Sequence, residues 1–129
     1  MSCLRAWRTP FEAEEFPSVW VSCDGLLADA LVSIGLPARW QIRFEHVVGL
    51  KICDETYDNN PRFHVERDAD GVCSYTWDDS PWLTDFNAEF VENMGGSKVT
   101  HYVVLGGDYN VEVLAHGNVE ITVADASSN

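Results

Sequence analysis

The chain has 129 residues, 46% hydrophobic and 22% charged, with a formal net charge of −13. That length suits one domain with its own core, and the composition is not that of a disordered chain. Eleven acids but only one base, Lys98, lie between Asp68 and the C-terminus. This balance argues against nucleic acid as a partner, because phosphate recognition needs surplus Lys and Arg, and it favours a basic protein partner.

No apolar run is long enough to span a bilayer, so no membrane partner is expected. The N-terminal MSCLRAWRTPFEAEEF has basic residues without a continuous apolar stretch after them, which is not the pattern of a secretory signal. A cytoplasmic location follows as the expectation. The four cysteines, Cys3, Cys23, Cys53 and Cys73, show no C-x-x-C spacing and read as reduced, mostly buried thiols.

In chain order, about residues 1–10 are expected to be loose, as is the polar tail 125–129. Pro17 to Cys23 reads as a strand with Asp24-Gly25 as its turn. Val19, Val21 and Cys23 share one face, which leaves Trp20 on the other beside Ser18 and Ser22. Trp20 there is either an interface anchor or part of a sheet covered on both faces. Leu26, Leu27, Ala30, Leu31 and Ile34 fit one face of a short helix over about 26–34.

Residues 39–53, RWQIRFEHVVGLKIC, hold a period of two. Trp40, Ile42, Phe44, His46, Val48, Leu50 and Ile52 form the expected buried face. Such a run exceeds a usual strand, so it is one long bent strand or two segments, with Gly49 as the bulge or bend. Residues 54–61 are dense in turn formers. Arg62 to Glu66 alternates again, Asp68-Ala-Asp-Gly71 reads as a hairpin turn, and Val72 to Trp77 returns with Cys73, Tyr75 and Trp77 on one face.

Ser80-Pro81 is an N-cap followed by proline at the first helical position. Trp82, Leu83, Phe86, Phe90 and Met94 recur at helical steps, which predicts a helix over about 81–93 with Asp85, Glu89 and Glu92 off the apolar face and Gly95-Gly96 as the stop. Two or three further strands follow, with turns at 106–108 and 116–118. Their expected inward residues are Val99, His101, Val103 and Leu105, then Val111, Val113 and Ala115, then Val119, Ile121 and Val123. The fold class is therefore α+β: mainly an antiparallel sheet, barrel or sandwich carrying one clear helix.

By parity His46 and His101 both fall on buried faces. If their strands adjoin, they could line a pocket with Trp40, Phe44, Tyr75 and Trp77; otherwise each is a core imidazole with its own partner. Asp54-Glu55, Asp58 and the Asp68–Gly71 turn could face a hard cation, but the twelve-residue calcium-loop pattern fails and Asp and Gly are what turns require. No metal site, cofactor motif, catalytic nucleophile or phosphate-cradling loop is found, so no catalytic residue is assigned.

The segments SPWLTDF (80–86) and HYVVLGGDYNVEVLA (101–115) resemble small, uncharacterised bacterial proteins with a matching C-terminal half. The resemblance implies a bacterial cytosolic domain of unassigned role and carries over no functional residues. In size and acidity alone, the chain is similar to immunity proteins that neutralise basic nuclease toxins.

Three functions remain open. The first is a non-enzymatic protein whose acidic face docks a basic partner, with Trp20, Asp78, Asp79, Asp85, Glu89 and Glu92 as contact candidates. The second is a small-ligand pocket, with or without catalysis, lined by the aromatic residues and histidines named above. The third is a homo-oligomer with a structural role.

Overall fold

In the computed structural model, residues 3–14, 17–24, 29–35, 38–54, 63, 69–85 and 98–124 are described. They form two open, antiparallel β-sheets with little helix. The first sheet, with order β1-β6-β7-β8-β5, contains β1 (Cys3–Ala6), β6 (Ser74–Asp78), β7 (Thr100–Leu105), β8 (Tyr109–Ala115) and β5 (Val47–Asp54). The second has order β2-β3-β4-β9 and contains β2 (Val19–Asp24), β3 (Asp29–Ile34), β4 (Trp40–Phe44) and β9 (Val119–Val123). Among the described residues no helix is long and apolar enough to cross a membrane.

Alternation along each strand builds the main core. Across the second sheet, in-register rows run Val19–Ile34–Trp40–Val123, Val21–Val32–Ile42–Ile121 and Cys23–Ala30–Phe44–Val119. These rows face Val104, Val111, Val113 and Ala115 of the first sheet, with Phe11 and Cys73 buried in the same cluster. Trp7 joins it, its ring centroid 5.0 Å from that of Tyr102 and 6.2 Å from that of Phe44. A second cluster, Leu4, Phe63, Tyr75, Trp77, Val103 and Leu105, covers the opposite face of the first sheet. The central strands of that sheet are therefore buried on both sides, as β8 shows by burying every residue after Tyr109.

The two sheets are joined by one bent two-stranded ribbon. β4 runs into β5 through Glu45-His46, and β8 runs into β9 through His116-Gly117-Asn118, while β4 pairs with β9 and β5 with β8. Backbone hydrogen bonds from Glu45 N to Asn118 O and from Gly117 N to Glu45 O carry the ladder around the corner. His46 takes a left-handed φ of 53°, and strands that switch sheets need such a local bend. A Cβ on Gly117 would stand 2.6 Å from the His46 ring, so the corner closes only around glycine.

Several expectations are corrected here. The stretch expected as a helix over 26–34 holds strand β3 from Asp29 on, with residues 25–28 outside the described set. Its Ala30, Val32 and Ile34 are buried at a period of two, and β-branched side chains between two partner strands outweigh the weaker i, i+3 match. The N-terminus expected to be loose at 1–10 instead forms β1 and pairs with β6, and Thr9 is buried with its hydroxyl 3.0 Å from that of Ser74. Phe63, Ala69 and Asp70 are helical, so the turn expected at 68–71 is a helix end over its described residues, with Gly71 at φ 66° in the usual glycine position beyond it; Asp68 lies outside the described residues. The rest of the expected 62–66 strand lies outside the described residues.

The expected helix begins where the N-cap reading put it and is described as α1 (Pro81–Asp85); its continuation to 93 lies outside the described residues. The α+β expectation thus reduces, for the described residues, to an antiparallel two-sheet stack with a short helix on one face.

Candidate functional site

The polar cluster that the fold assembles with most constraint lies on the outer face of the first sheet, beneath α1. Ser80, His101 and Glu112 are all buried. Ser80 Oγ is 2.6 Å from His101 Nδ1, and Glu112 Oε1 is 2.9 Å from His101 Nε2. β7 and β8 are adjacent with His101 opposite Leu114 and Val103 opposite Glu112, so Glu112 reaches the imidazole along the diagonal of the ladder. Two aromatic rings enclose it: Trp77 stacks on it at 5.2 Å, and Trp82 meets it edge-on at 5.3 Å.

Ser80 sits there because it ends the turn after β6. Its hydroxyl accepts the Leu83 N–H at 3.1 Å, while its carbonyl accepts Thr84 N–H at 3.0 Å. Counting donors and acceptors selects one arrangement that satisfies all three side chains: the hydroxyl accepts from Leu83 and donates to Nδ1, and Nε2–H donates to the Glu112 carboxylate. Lys51, opposite Glu112 in the β5–β8 register, places its ammonium 4.5 Å above the Trp82 ring centroid. Gly49 on the same strand leaves the seat for that indole, since a Cβ would stand 2.8 Å from Trp82.

A Ser–His–Glu chain invites comparison with acyl-transfer chemistry, and three features oppose it. The hydroxyl is fully buried and already caps a helix. The next residue, Pro81, has no N–H to offer an oxyanion. Both flanking indoles cover the imidazole. The arrangement orients and locks α1 against the sheet.

The other candidates are dispersed. Trp40 and Phe44 belong to the core between the sheets, whereas Tyr75, Trp77 and His101 lie on the far side of the first sheet, so the pocket expected from these residues is split by a layer of backbone. His46 is exposed at the corner, not buried, and stacks on His116 at 5.2 Å instead of meeting His101. Its amide also hydrogen-bonds Asp29. That carboxyl lies below the usual carboxylate range chiefly because Arg43 bonds it at 2.9 Å, with His46 assisting against a burial penalty.

Trp20 is 42% exposed on the outer face of the second sheet, opposite Ser33, while α1 covers the first sheet. The expected acidic group is brought together only in part: Asp78, Asp79 and Asp85 flank Ser80 and α1, away from Trp20, and Glu89 and Glu92 lie outside the described residues. The sequence alone does not pair Ser80 and Glu112 with His101. The available signal was Leu114 two residues beyond Glu112, which marks an apolar outer face on β8. Among the described residues no group of three or more His, Cys, Asp or Glu side chains could hold a metal ion.

The described residues therefore define a class, a two-sheet antiparallel β-domain with a buried polar lock under a short helix. Comparison with family models, curated proteins and solved structures finds no match for this chain.

Proposed function

We propose that this chain is a non-enzymatic acidic binding protein that docks a basic protein partner. The supporting observation is how its own bases are spent. Arg5 pairs with Asp78, Arg8 with Glu12, Arg39 with Glu14 and Arg43 with Asp29, while Lys51 lies over Trp82. Of the six bases among the described residues, five are thus engaged within the fold, against 21 carboxylates in the chain. An approaching molecule meets a field set by the surplus acids, which steers basic partners and repels acidic ones.

Asp79 and Asp85, exposed beside α1, form the shoulder we assign to first contact, and Trp20 is a separate anchor on the opposite layer. We place the protein in the cytoplasm as part of the same reading; its cysteines, expected to be mostly buried, are exposed at Cys3 and Cys23, half-buried at Cys53 and buried at Cys73.

The test is to isolate the partner by affinity capture and measure its association kinetics by surface plasmon resonance across a salt series. Affinity should fall steeply as salt rises, and Asp79→Lys with Asp85→Lys should slow association more than it speeds dissociation. Salt-independent affinity, or copurification with nucleic acid, would remove the reading.

A further inference from the structure

The four sheet edges differ in how they are protected, and the difference singles out β9. Edge strands that avoid pairing with other chains are short, carry a bulge or an outward charge, or are covered. β1 has four residues and bears Arg5. β5 has a register shift between Val47 and Gly49 and carries exposed Lys51. β2 is covered at its start, where the Asp108 carboxylate accepts the Val19 N–H and Pro17 O accepts the Gly107 N–H. β9, with the sequence VEITV, has no Lys, Arg, Pro or bulge, β4 is its only strand partner among the described residues, and its single outward charge, Glu120, can be set opposite an uncharged residue when two such strands pair. Its inner-face residue Val123 is 77% exposed, the highest value among the exposed large hydrophobic side chains of the described residues.

We propose that β9 pairs antiparallel with β9 of a second copy, joining the two four-stranded sheets across a two-fold axis. The strand is self-complementary about Ile121. In that register Val119 faces Val123 of the other copy, and Ile121 faces its own counterpart, which covers the exposed end of the row. On the outer face Glu120 meets Thr122, so no carboxylate is set opposite a carboxylate. Any other in-plane register of the same parity leaves more apolar side chains unpaired or brings Glu120 towards its own copy. The chain's charge of −13 opposes this association over longer range, so salt should strengthen the dimer. Binding to a basic partner has the reverse salt dependence, which keeps the failure of one reading distinct from the failure of the other.

The experiment is sedimentation equilibrium on the full chain at low and high sodium chloride, with two substitutions at one exposed position. Thr122→Glu sets a carboxylate opposite Glu120 twice per dimer, and Thr122→Lys sets an ammonium there twice. Relative to wild type, the first should weaken and the second tighten the dimer, each by about fivefold. Ala69→Lys, an exposed position three residues before Val72 of the cluster on the outer face of the first sheet, makes the same change in net charge as Thr122→Lys and should give a much smaller effect. Dimer growth with salt and opposite responses of the two Thr122 variants support the proposal. A monomer at every salt and concentration overturns it, as does an equal effect of Thr122→Lys and Ala69→Lys.

Discussion

His101 has a hydrogen-bonding neighbour at each ring nitrogen and an aromatic ring on two sides, so its removal would strand two buried polar groups at once. Truncation to alanine should cost about 3–5 kcal/mol, the range for breaking a buried pair by deleting one member. Urea unfolding would measure it, and Glu112→Gln, which can still accept from Nε2–H, should cost much less. Asp29 offers a contrast at the surface. The Arg43 hydrogen bond depresses its carboxyl pKa, so the stabilisation is present above the ordinary carboxylate value and is lost as pH falls through the depressed one. In Asp29→Asn that acid-side loss should disappear, which a pH series of thermal unfolding can test. Tyr102 is shifted upward by burial, against a smaller opposing hydrogen bond from Thr100, and its phenol should ionise only above the usual tyrosine range in an ultraviolet pH titration.

Elements in this molecule are decided by what lies on both of their faces. Gly49→Val would press a branched side chain into the Trp82 indole, and displacing that ring should cost about 1–3 kcal/mol and change the tryptophan emission spectrum. The strands were legible wherever one face was buried and the other wet, as in Trp40 to Phe44. The 39–53 pattern also misled, for a definable reason. The corner at Glu45-His46 turns odd-numbered Val47 inward, and the following bulge restores Leu50 and Ile52 to the inner face, where Leu50 packs on the core but Ile52, expected to be buried, is half exposed at the sheet edge. Two irregularities cancel in parity, so two strands in different sheets share one continuous alternation, and His46 inherits a buried position that it does not occupy. Ser80 was legible as a cap because capping is local. Its contact with His101 was not, since that depends on which strands adjoin across 21 residues of sequence. Glu112 was hidden for the same reason, because an acid alternating with valines looks solvent-facing until a helix is placed above it.

At the scale of the molecule, all strand pairing among the described residues is antiparallel, and several of the paired strands are distant in sequence. β1 waits for β6, and β4 waits for β9. Loop closure must precede the contacts that stabilise such a topology, so refolding should take milliseconds to seconds in stopped-flow fluorescence rather than microseconds. A charge of −13 also repels itself in the compact state, and moderate sodium chloride should raise the melting temperature by screening. Cooling of that trend to zero would mean that the surface acids are further apart than a Debye length.

The bent ribbon has a consequence for how the molecule comes apart. Its first chain is interior in one sheet as β4 and an edge in the other as β5; its second is interior as β8 and an edge as β9. Neither layer can open without pulling on a strand that continues into its neighbour. Amide protons of Ile42 and Val113, in different sheets, should therefore exchange with the same opening free energy, as members of one foldon. Backbone nicks at both corners, between Glu45 and His46 and between His116 and Gly117, should divide that unit, giving the two residues separate exchange rates while leaving most side-chain contacts in place.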